Sequence, residues 1–440
     1  MFEQGFKMNT AHSASYQLIN SLTFCVFDLE TTGGNHVHDK IIEIGLVRIS
    51  ELKIVAKKSF LIKPEVHIPE FIQKLTNIKD ADVTNAPLIE DVIDEIMDFM
   101  GDSILVAHNT SFDVPFFNSV LKRLGRDELK NKSICTNLMT KYMIPNLLSS
   151  NLNYMSKIFD LEHQKAHRAL DDAMASAHLL LKYLDIFIQK NINKVNSLYY
   201  PKNKFELDRI NFKKDASIES IFEKIDSLNV PFTLTIKGTE GVVLYSMVSK
   251  GSAIEADYLK KNIKNISFEM ITIKLVGPYF LGLIELSSYF NKIESRLAQD
   301  IIKKLCEFNQ IPFEKIDPNI SLPMPSDFII LNHLIPDQYV IYPLKSLHHK
   351  LELVFRYPTH QNKLVQYINS KSTRLLANKI KKDHLHNLIN NFMVLFLELS
   401  NENFLIQAKN TKIINTDIMP ELENFVLKNP NNYNFPKNFL

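Results

Sequence analysis

Cysteine is scarce: Cys25, Cys135 and Cys306 are the only three in 440 residues. An odd and scattered set excludes a disulfide framework and fits a reducing compartment. No Cys or His residues fall at zinc-ligand spacing, which removes a structural zinc module. Long apolar runs are missing too. The most apolar late stretch, Phe392–Leu399, contains Glu398 and is far shorter than the ~20 residues a bilayer span needs, so no membrane partner is expected. The first twenty residues carry Glu3 and Lys7 without an apolar centre, which predicts no secretory leader and a cytoplasmic location. A glycine-rich Walker loop and a repeat of fixed period are both absent, which argues against P-loop nucleotide chemistry and solenoid architecture. Nor is there an excess of either charge, with 51 Lys+Arg against 49 Asp+Glu. That balance hides an asymmetry. Residues 1–190 hold 20 basic against 24 acidic residues, and residues 191–440 hold 31 against 25.

At roughly 150 residues per domain, the length predicts two to four domains. The pattern predicts a loose N-terminal segment over 1–20, then a domain over 21–187. Strand-like runs Leu22–Asp28, Ile41–Ser50 and Val55–Ile62 are followed there by helical periodicity within 69–100. A short apolar strand, Ser103–Ala107, leads to the helix Val114–Leu124, and a further helix lies within 157–184. Strands in sequence, then strand alternating with helix, imply an α/β fold with a mixed sheet covered by helices. A linker is expected over 188–216, then an α/β domain over 217–316. Its last two strands are placed at Ile266–Leu275 and Tyr279–Leu286. A proline cluster ends it, and a mainly helical α+β domain is expected over 326–440.

The chemistry concentrates where Phe24-Cys25-Val26-Phe27 runs into Asp28-Leu29-Glu30-Thr31-Thr32-Gly33-Gly34. Side chains alternate along a strand, so Asp28 and Glu30 project from one side. Two acids at a buried strand end repel each other, and a hard divalent cation with oxygen ligands is the usual remedy. Asp113 opens the helix after the next apolar strand. His167-Arg168-Ala169-Leu170-Asp171-Asp172 adds a histidine and two more acids. Alone, Asp113 would read as a helix cap and His167 as a surface histidine. Together, four carboxylates, with one of the adjacent pair Asp171 and Asp172 among them, and a base with a pKa near neutrality match what two-metal phosphoryl transfer requires. Helix periodicity puts Asp171, four residues on, on the same face as His167, while Asp172 lies about 140° round.

Three ordered motifs carry a family resemblance over about residues 20–187. They are Phe27-Asp28-Leu29-Glu30-Thr31-Thr32-Gly33 with Ile41-Ile42-Glu43-Ile44-Gly45, then His108-Asn109-Thr110-Ser111-Phe112-Asp113, then His167-Arg168-Ala169-Leu170-Asp171-Asp172-Ala173. This region resembles the DEDDh 3′→5′ exonucleases, including the epsilon proofreading subunit of bacterial DNA polymerase III and its stand-alone homologues. The resemblance implies an RNase H-like domain, two Mg²⁺ or Mn²⁺ ions and release of nucleoside 5′-monophosphates. It also implies catalytic roles for Asp28, Glu30, Asp113, His167 and Asp172, the four acids as metal ligands and His167 as base. Its pattern His-x-Ala-x-x-Asp selects Asp172 over Asp171. Thr31, Thr32, Asn109 and Phe112 would approach the terminal nucleotide. The implied partners are nucleic acid, chiefly single-stranded or frayed DNA with RNA as the alternative, and a DNA polymerase or other replication or repair proteins.

Beyond residue 190 the signal thins. Pro343–Lys382 holds nine basic residues against one acid, Glu352, with Tyr357 and Tyr367 interleaved, a composition that fits phosphate-backbone contact. Lys371, Arg374, Lys379, Lys381 and Lys382 are its candidate contacts. A regulatory C-terminal module that gates the nuclease, and an inactive nuclease fold serving as a scaffold, are the readings from other classes.

Overall fold

The structure is a computed structural model that describes residues 18–144, 146–163, 166–190, 192, 196–199, 207–344, 351–374, 384–400, 404–406 and 414–428. The chain divides into two compact units between Glu206 and Leu207. The loose segment expected over 1–20 falls almost wholly outside the described residues.

In the first unit, β1 (Thr23–Thr31), β2 (Ile41–Ser50) and β3 (Lys53–Leu61) are followed by α1 (Glu70–Thr76), α2 (Asp80–Val83) and α3 (Ile89–Met100). Next come β4 (Ile104–Ala107), α4 (Thr110–Arg123), β5 (Ser133–Cys135), α5 (Thr136–Met143), α6 (Leu152–Phe159), α7 (Ala169–Gln189) and α8 (Asn196–Tyr199). The strands form one mixed sheet in the order β3-β2-β1-β4-β5. β1 is central, antiparallel to β2 and parallel to β4. Phe24, Cys25, Val26 and Phe27 are all buried because helices cover both faces of the sheet. On one face Phe27 and Leu29 pack with Ile93 and Ile96 of α3 and with Phe116, Phe117 and Val120 of α4. On the other face α7 lies across β1, β2 and β3. β3 is an edge strand, and its exposed side carries Lys53 and Lys57, which discourages edge-to-edge pairing.

One glycine decides how close α7 comes. A Cβ built on Gly45 would lie 2.3 Å from the carbonyl carbon and oxygen of Ala169 and 2.4 Å from the Leu170 nitrogen. Only glycine lets the first turn of α7 touch the backbone of β2.

The second unit contains β6 (Arg209–Lys213), α9 (Ile218–Asp226), β7 (Phe232–Lys237), β8 (Val243–Ser249), α10 (Ala253–Lys264) and β9 (Met270–Leu275). It continues with α11 (Tyr279–Phe290), α12 (Ser295–Asn309), β10 (Phe328–Asn332), β11 (Tyr339–Pro343) and β12 (Leu353–Phe355). α13 (Gln361–Arg374), α14 (His384–Leu399), β13 (Phe404–Ile406) and α15 (Ile414–Lys428) complete it. Two antiparallel sheets, ordered β6-β9-β7-β8 and β12-β11-β10-β13, are covered by helices.

Three expectations change here. Tyr279–Leu286 belongs to helix α11, not a strand. Tyr279, Phe280, Leu283, Ile284, Leu286 and Phe290 are all buried, and a helix apolar on nearly every side has no 3.6-residue signature to read. Arg209–Lys213, inside the expected linker, forms β6 against β9. The proline-rich stretch around 317–325 is a fixed strap. Asn391 Nδ2 donates to the carbonyls of Asp317 and Ile320 at 2.8 and 2.7 Å, and its Oδ1 accepts from the Leu322 N–H at 2.9 Å. Residues on both sides of the strap, Leu234, Phe280 and Ile302 with Leu331, Tyr342 and Phe392, share one apolar core.

Candidate active site

The α7 face of β1 and β2 carries acids where apolar residues would be expected. Asp28 pairs in register with Gly45, and Glu30 with Glu43. Alternation therefore places Asp28, Glu30 and Glu43 on the face that Gly45 opens to α7. Glu43 is buried and fully answered. The Arg168 guanidinium grips it through Nε at 3.0 Å and Nη2 at 2.7 Å, and the Ala169 N–H donates to Oε2 at 2.9 Å. This fork, with a carboxylate at the start of α7, fixes the helix on the sheet.

Asp28 and Glu30 have no such partner. Burial first, then the charges of Asp113, Asp172, Glu30 and Glu43, push the Asp28 carboxyl well above the ordinary range. Glu30 is pushed up to about 8 by burial, then by Asp172 and Glu43, with Arg168 opposing. Asp113, buried in the first turn of α4, is pushed up to about 7 by burial against the pull of two backbone hydrogen bonds, from its own N–H and from that of Leu29. The Leu29 N–H is available because β4 pairs with β1 only along Phe24–Val26.

The last motif closes the group from α7. His167 precedes the helix with φ +65°, in the left-handed region, where histidine is enriched among non-glycine residues. That reversal brings it back toward Asp172, whose Oδ2 accepts from the His167 N–H at 3.3 Å. One ligand-capable atom from each of Glu30, His167 and Asp172 lies within 4.8 Å of the others, and Asp171 is outside that trio. Helix periodicity favoured Asp171 because it assumed that His167 was helical. A residue that sequence reasoning missed, His163, also reaches Asp172. Nothing in the pattern marks it, because it lies outside all three motifs.

The other predicted residues serve mainly the surrounding structure. The Thr31 hydroxyl donates to the Gly33 carbonyl at 2.7 Å. The Thr32 hydroxyl accepts from the Lys40 N–H at 2.9 Å and donates to Asp39 at 3.3 Å. Both hydroxyls are thus committed to the loop that follows β1. Asn109 is exposed at the start of α4 and accepts from Ser111 Oγ at 2.8 Å. The half-buried Phe112 ring packs 5.6 Å from Phe116. Burial pushes the His108 imidazole below its ordinary value. It joins Thr136 Oγ1 at 3.0 Å to the Ser150 carbonyl at 2.8 Å, bracing the chain beside the site. In the second unit, Lys371 Nζ lies 5.9 Å from the Tyr367 ring, which itself packs with Tyr357 against an apolar cluster. The Arg374 side chain and Lys379, Lys381 and Lys382 lie outside the described residues.

The donor set fits hard divalent cations. Oxygen ligands predominate, no cationic side chain bonds half-buried Asp28 or buried Glu30 and Asp113 among the described residues, and burial and mutual repulsion raise their pKa values. No helix among the described residues is long and apolar enough to cross a membrane.

Residues 25–180 match the RNase T family, described as Exonuclease. The DNA polymerase III PolC-type of Bacillus subtilis (strain 168) is 30% identical over 326 residues, covering 66% of this chain and 23% of that protein. That of Caldanaerobacter subterraneus is 31% identical over 269 residues, covering 56% of this chain and 19% of that protein. The chain thus spans only about a fifth of the length of these PolC-type relatives. The DNA polymerase III subunit epsilon of Aquifex aeolicus (strain VF5) is 36% identical over 163 residues, covering 37% of this chain and 81% of that protein. Among solved structures, exonuclease X in complex with 5′ overhanging duplex DNA is 28% identical, with a TM-score of 0.32 over 37% of this chain and 92% of that one. With most of an epsilon subunit matched at that identity, this chain belongs to the RNase T (DEDDh) family of 3′→5′ exonucleases, which are phosphodiester hydrolases.

Proposed function

We propose that the first unit removes nucleoside 5′-monophosphates from the 3′ ends of single-stranded or frayed DNA, in proofreading or repair. The observation that carries this reading is the convergence of Glu30, His167 and Asp172 on one point beside the uncompensated Asp28 and Asp113. Asp28, Glu30, Asp113 and Asp172 would hold two Mg²⁺ or Mn²⁺ ions, which supply Lewis acidity to the attacking and leaving oxygens. His167 takes the proton from the attacking water, and its place outside the helix leaves the ring free to move that proton away. Arg168 and Glu43 keep α7, and with it Asp172 and His167, at a fixed height over the sheet. The loop after β1, tied by Thr31 and Thr32, borders the position of the terminal nucleotide.

The names of the PolC-type and epsilon relatives support DNA over RNA and a DNA polymerase as partner, and the few scattered cysteines fit a cytoplasmic location. The test is to incubate the purified chain with end-labelled single-stranded DNA, mismatched duplex DNA and RNA, with Mg²⁺ or with EDTA. Stepwise shortening from the 3′ end of DNA, abolished by EDTA, is expected. Degradation of RNA alone would overturn the DNA assignment, and cleavage unaffected by EDTA would overturn the metal.

A further inference from the structure

Asp172 is held from two sides. While the His167 backbone N–H occupies Oδ2, the other oxygen, Oδ1, lies 2.5 Å from Nε2 of His163. The His163 side chain is 5% exposed and that of Asp172 14%, so the contact is sheltered from water. The second ring nitrogen, Nδ1, faces Ser156 Oγ of α6 at the longer distance of 3.4 Å. That hydroxyl already donates to the Leu152 carbonyl at 2.8 Å. A carboxylate only accepts, so the short contact places a proton on Nε2 and leaves Nδ1 facing the serine oxygen.

We propose that His163 is a positioning residue for Asp172, and this rests on the metal-dependent reading above. A carboxylate in the first turn of a helix rotates freely unless it is tied, and here Glu30 and Asp28 repel it from the place where it is needed. The His163 N–H offsets that repulsion at Oδ1, and the His167 N–H does so at Oδ2. An ionised carboxylate has about four lone-pair directions. With one on each oxygen used in this way, one on each remains for a cation shared with Glu30. Groups that orient a metal ligand typically contribute 10–100-fold to metal affinity or activity. The placement of His163 depends on the turn after α6, so that turn contributes to the site without carrying any motif.

The test is Mn²⁺ binding to the full-length protein by titration calorimetry, with no substrate present. His163→Ala should weaken Mn²⁺ binding by about 10–100-fold, and so should His163→Phe, which keeps the ring volume and should fold where alanine does not. His163→Gln, whose amide Nε2 still donates, should bind like the wild type. Activity at saturating Mn²⁺ should recover in His163→Phe to within a few-fold of wild type. Unchanged Mn²⁺ affinity in His163→Phe would show that Asp172 needs no help from His163. Tighter binding would show that the imidazole competes with the ion, and weakening by glutamine equal to that by phenylalanine would show that the N–H is not what matters. Each of these overturns the proposal. If the wild type itself binds no Mn²⁺, and Asp172→Ala is indistinguishable from it, the metal reading fails first, a different result from equal tight binding by wild type and His163→Phe.

Discussion

Among the described residues of the second unit, Glu255, Glu285 and Glu352 each have an answer. Glu255 accepts from Ser249 Oγ at 3.0 Å and from the Lys250 N–H at 2.7 Å. Glu285 takes the Lys274 ammonium at 2.9 Å, and Glu352 takes the Tyr342 hydroxyl. In the first unit Glu43 is treated in the same way by Arg168, while its neighbours Asp28 and Glu30, on the same face of the same sheet, are left to repel one another. A buried acid with a partner fixes structure. A buried acid set mainly against other acids stores a demand for a cation, and that demand marks the proposed site within the fold.

The largest effects should come from cancelling this demand. Asp28→Ala and Asp172→Ala should reduce turnover to background, while Asp171→Ala should retain much of it. Melting temperature should rise with Mn²⁺ in the wild type and stay flat in Asp28→Ala. A flat wild-type curve at saturating Mn²⁺ would erase the contrast between the units. His167→Ala should lose roughly 10²–10⁴-fold, the usual range for a general base, with Mn²⁺ binding kept.

Next in size is the distance between α7 and the sheet. Gly45→Val should destabilise the first unit by about 1–3 kcal/mol, as overpacking does, and should lower turnover further by lifting Asp172 away from Glu30. The same change at exposed Gly34, where a Cβ meets nothing within 4 Å, is the control. Equal melting temperatures for the two variants would refute the close approach.

The two units should also respond oppositely to pH. Without metal, folded Glu30 titrates at about 8 against an ordinary 4.5, so the folded chain binds the extra proton between those values. Stability of the first unit should therefore fall as pH rises through that window, and Mn²⁺ should abolish the fall. His333 is the reverse case. Burial and the Lys274 charge push it down to about 4 from 6.5, and its Nδ1 accepts from the Ile335 N–H at 3.0 Å. The unfolded chain binds that proton first, so the second unit should lose stability as pH falls from 6.5 towards 4. Calorimetric melts in EDTA should show two transitions moving in opposite directions, with the acid-side loss reduced in His333→Gln. Parallel movement would sink the distinction.

The smallest expected effect concerns grip. The first 190 residues are net acidic and poorly suited to holding a polyanion. Replacing Lys379, Lys381 and Lys382 with alanine should leave cleavage of short strands intact and flatten the salt dependence of long-strand binding, by about 0.7 per lost phosphate contact. Identical salt slopes in Ca²⁺ would show that these lysines touch no phosphate.

Where the site was legible, a short-range rule sufficed. Strand alternation put Asp28 and Glu30 on one side, and the start of a helix after an apolar strand located Asp113. Residues whose place depends on a single dihedral or a distant partner were not legible. The left-handed turn at His167 cannot be read from helix periodicity, and His163 meets Asp172 only because α6 ends where it does. The fold shows the same division. The β1–β4 core followed from apolar runs, while α11 was mistaken for a strand because burial on nearly every side removes its period. The strap around 317–325 was read as a boundary because its tie to Asn391 spans about seventy residues.

The bare edge of Gly45 also imposes a sequence in time. Asp28, Glu30 and Asp113 are synthesised early, and the sheet bearing them is complete at β5. The proposed fourth acid, Asp172, and the proposed base, His167, come more than fifty residues after Asp113, on and just before the helix that must settle against Gly45. A nascent or proteolytically shortened chain that stops before Ala169 therefore has the five strands of the first unit's sheet but lacks Asp172. Under the proposed site, arrival of α7 is the step that completes the domain's acids.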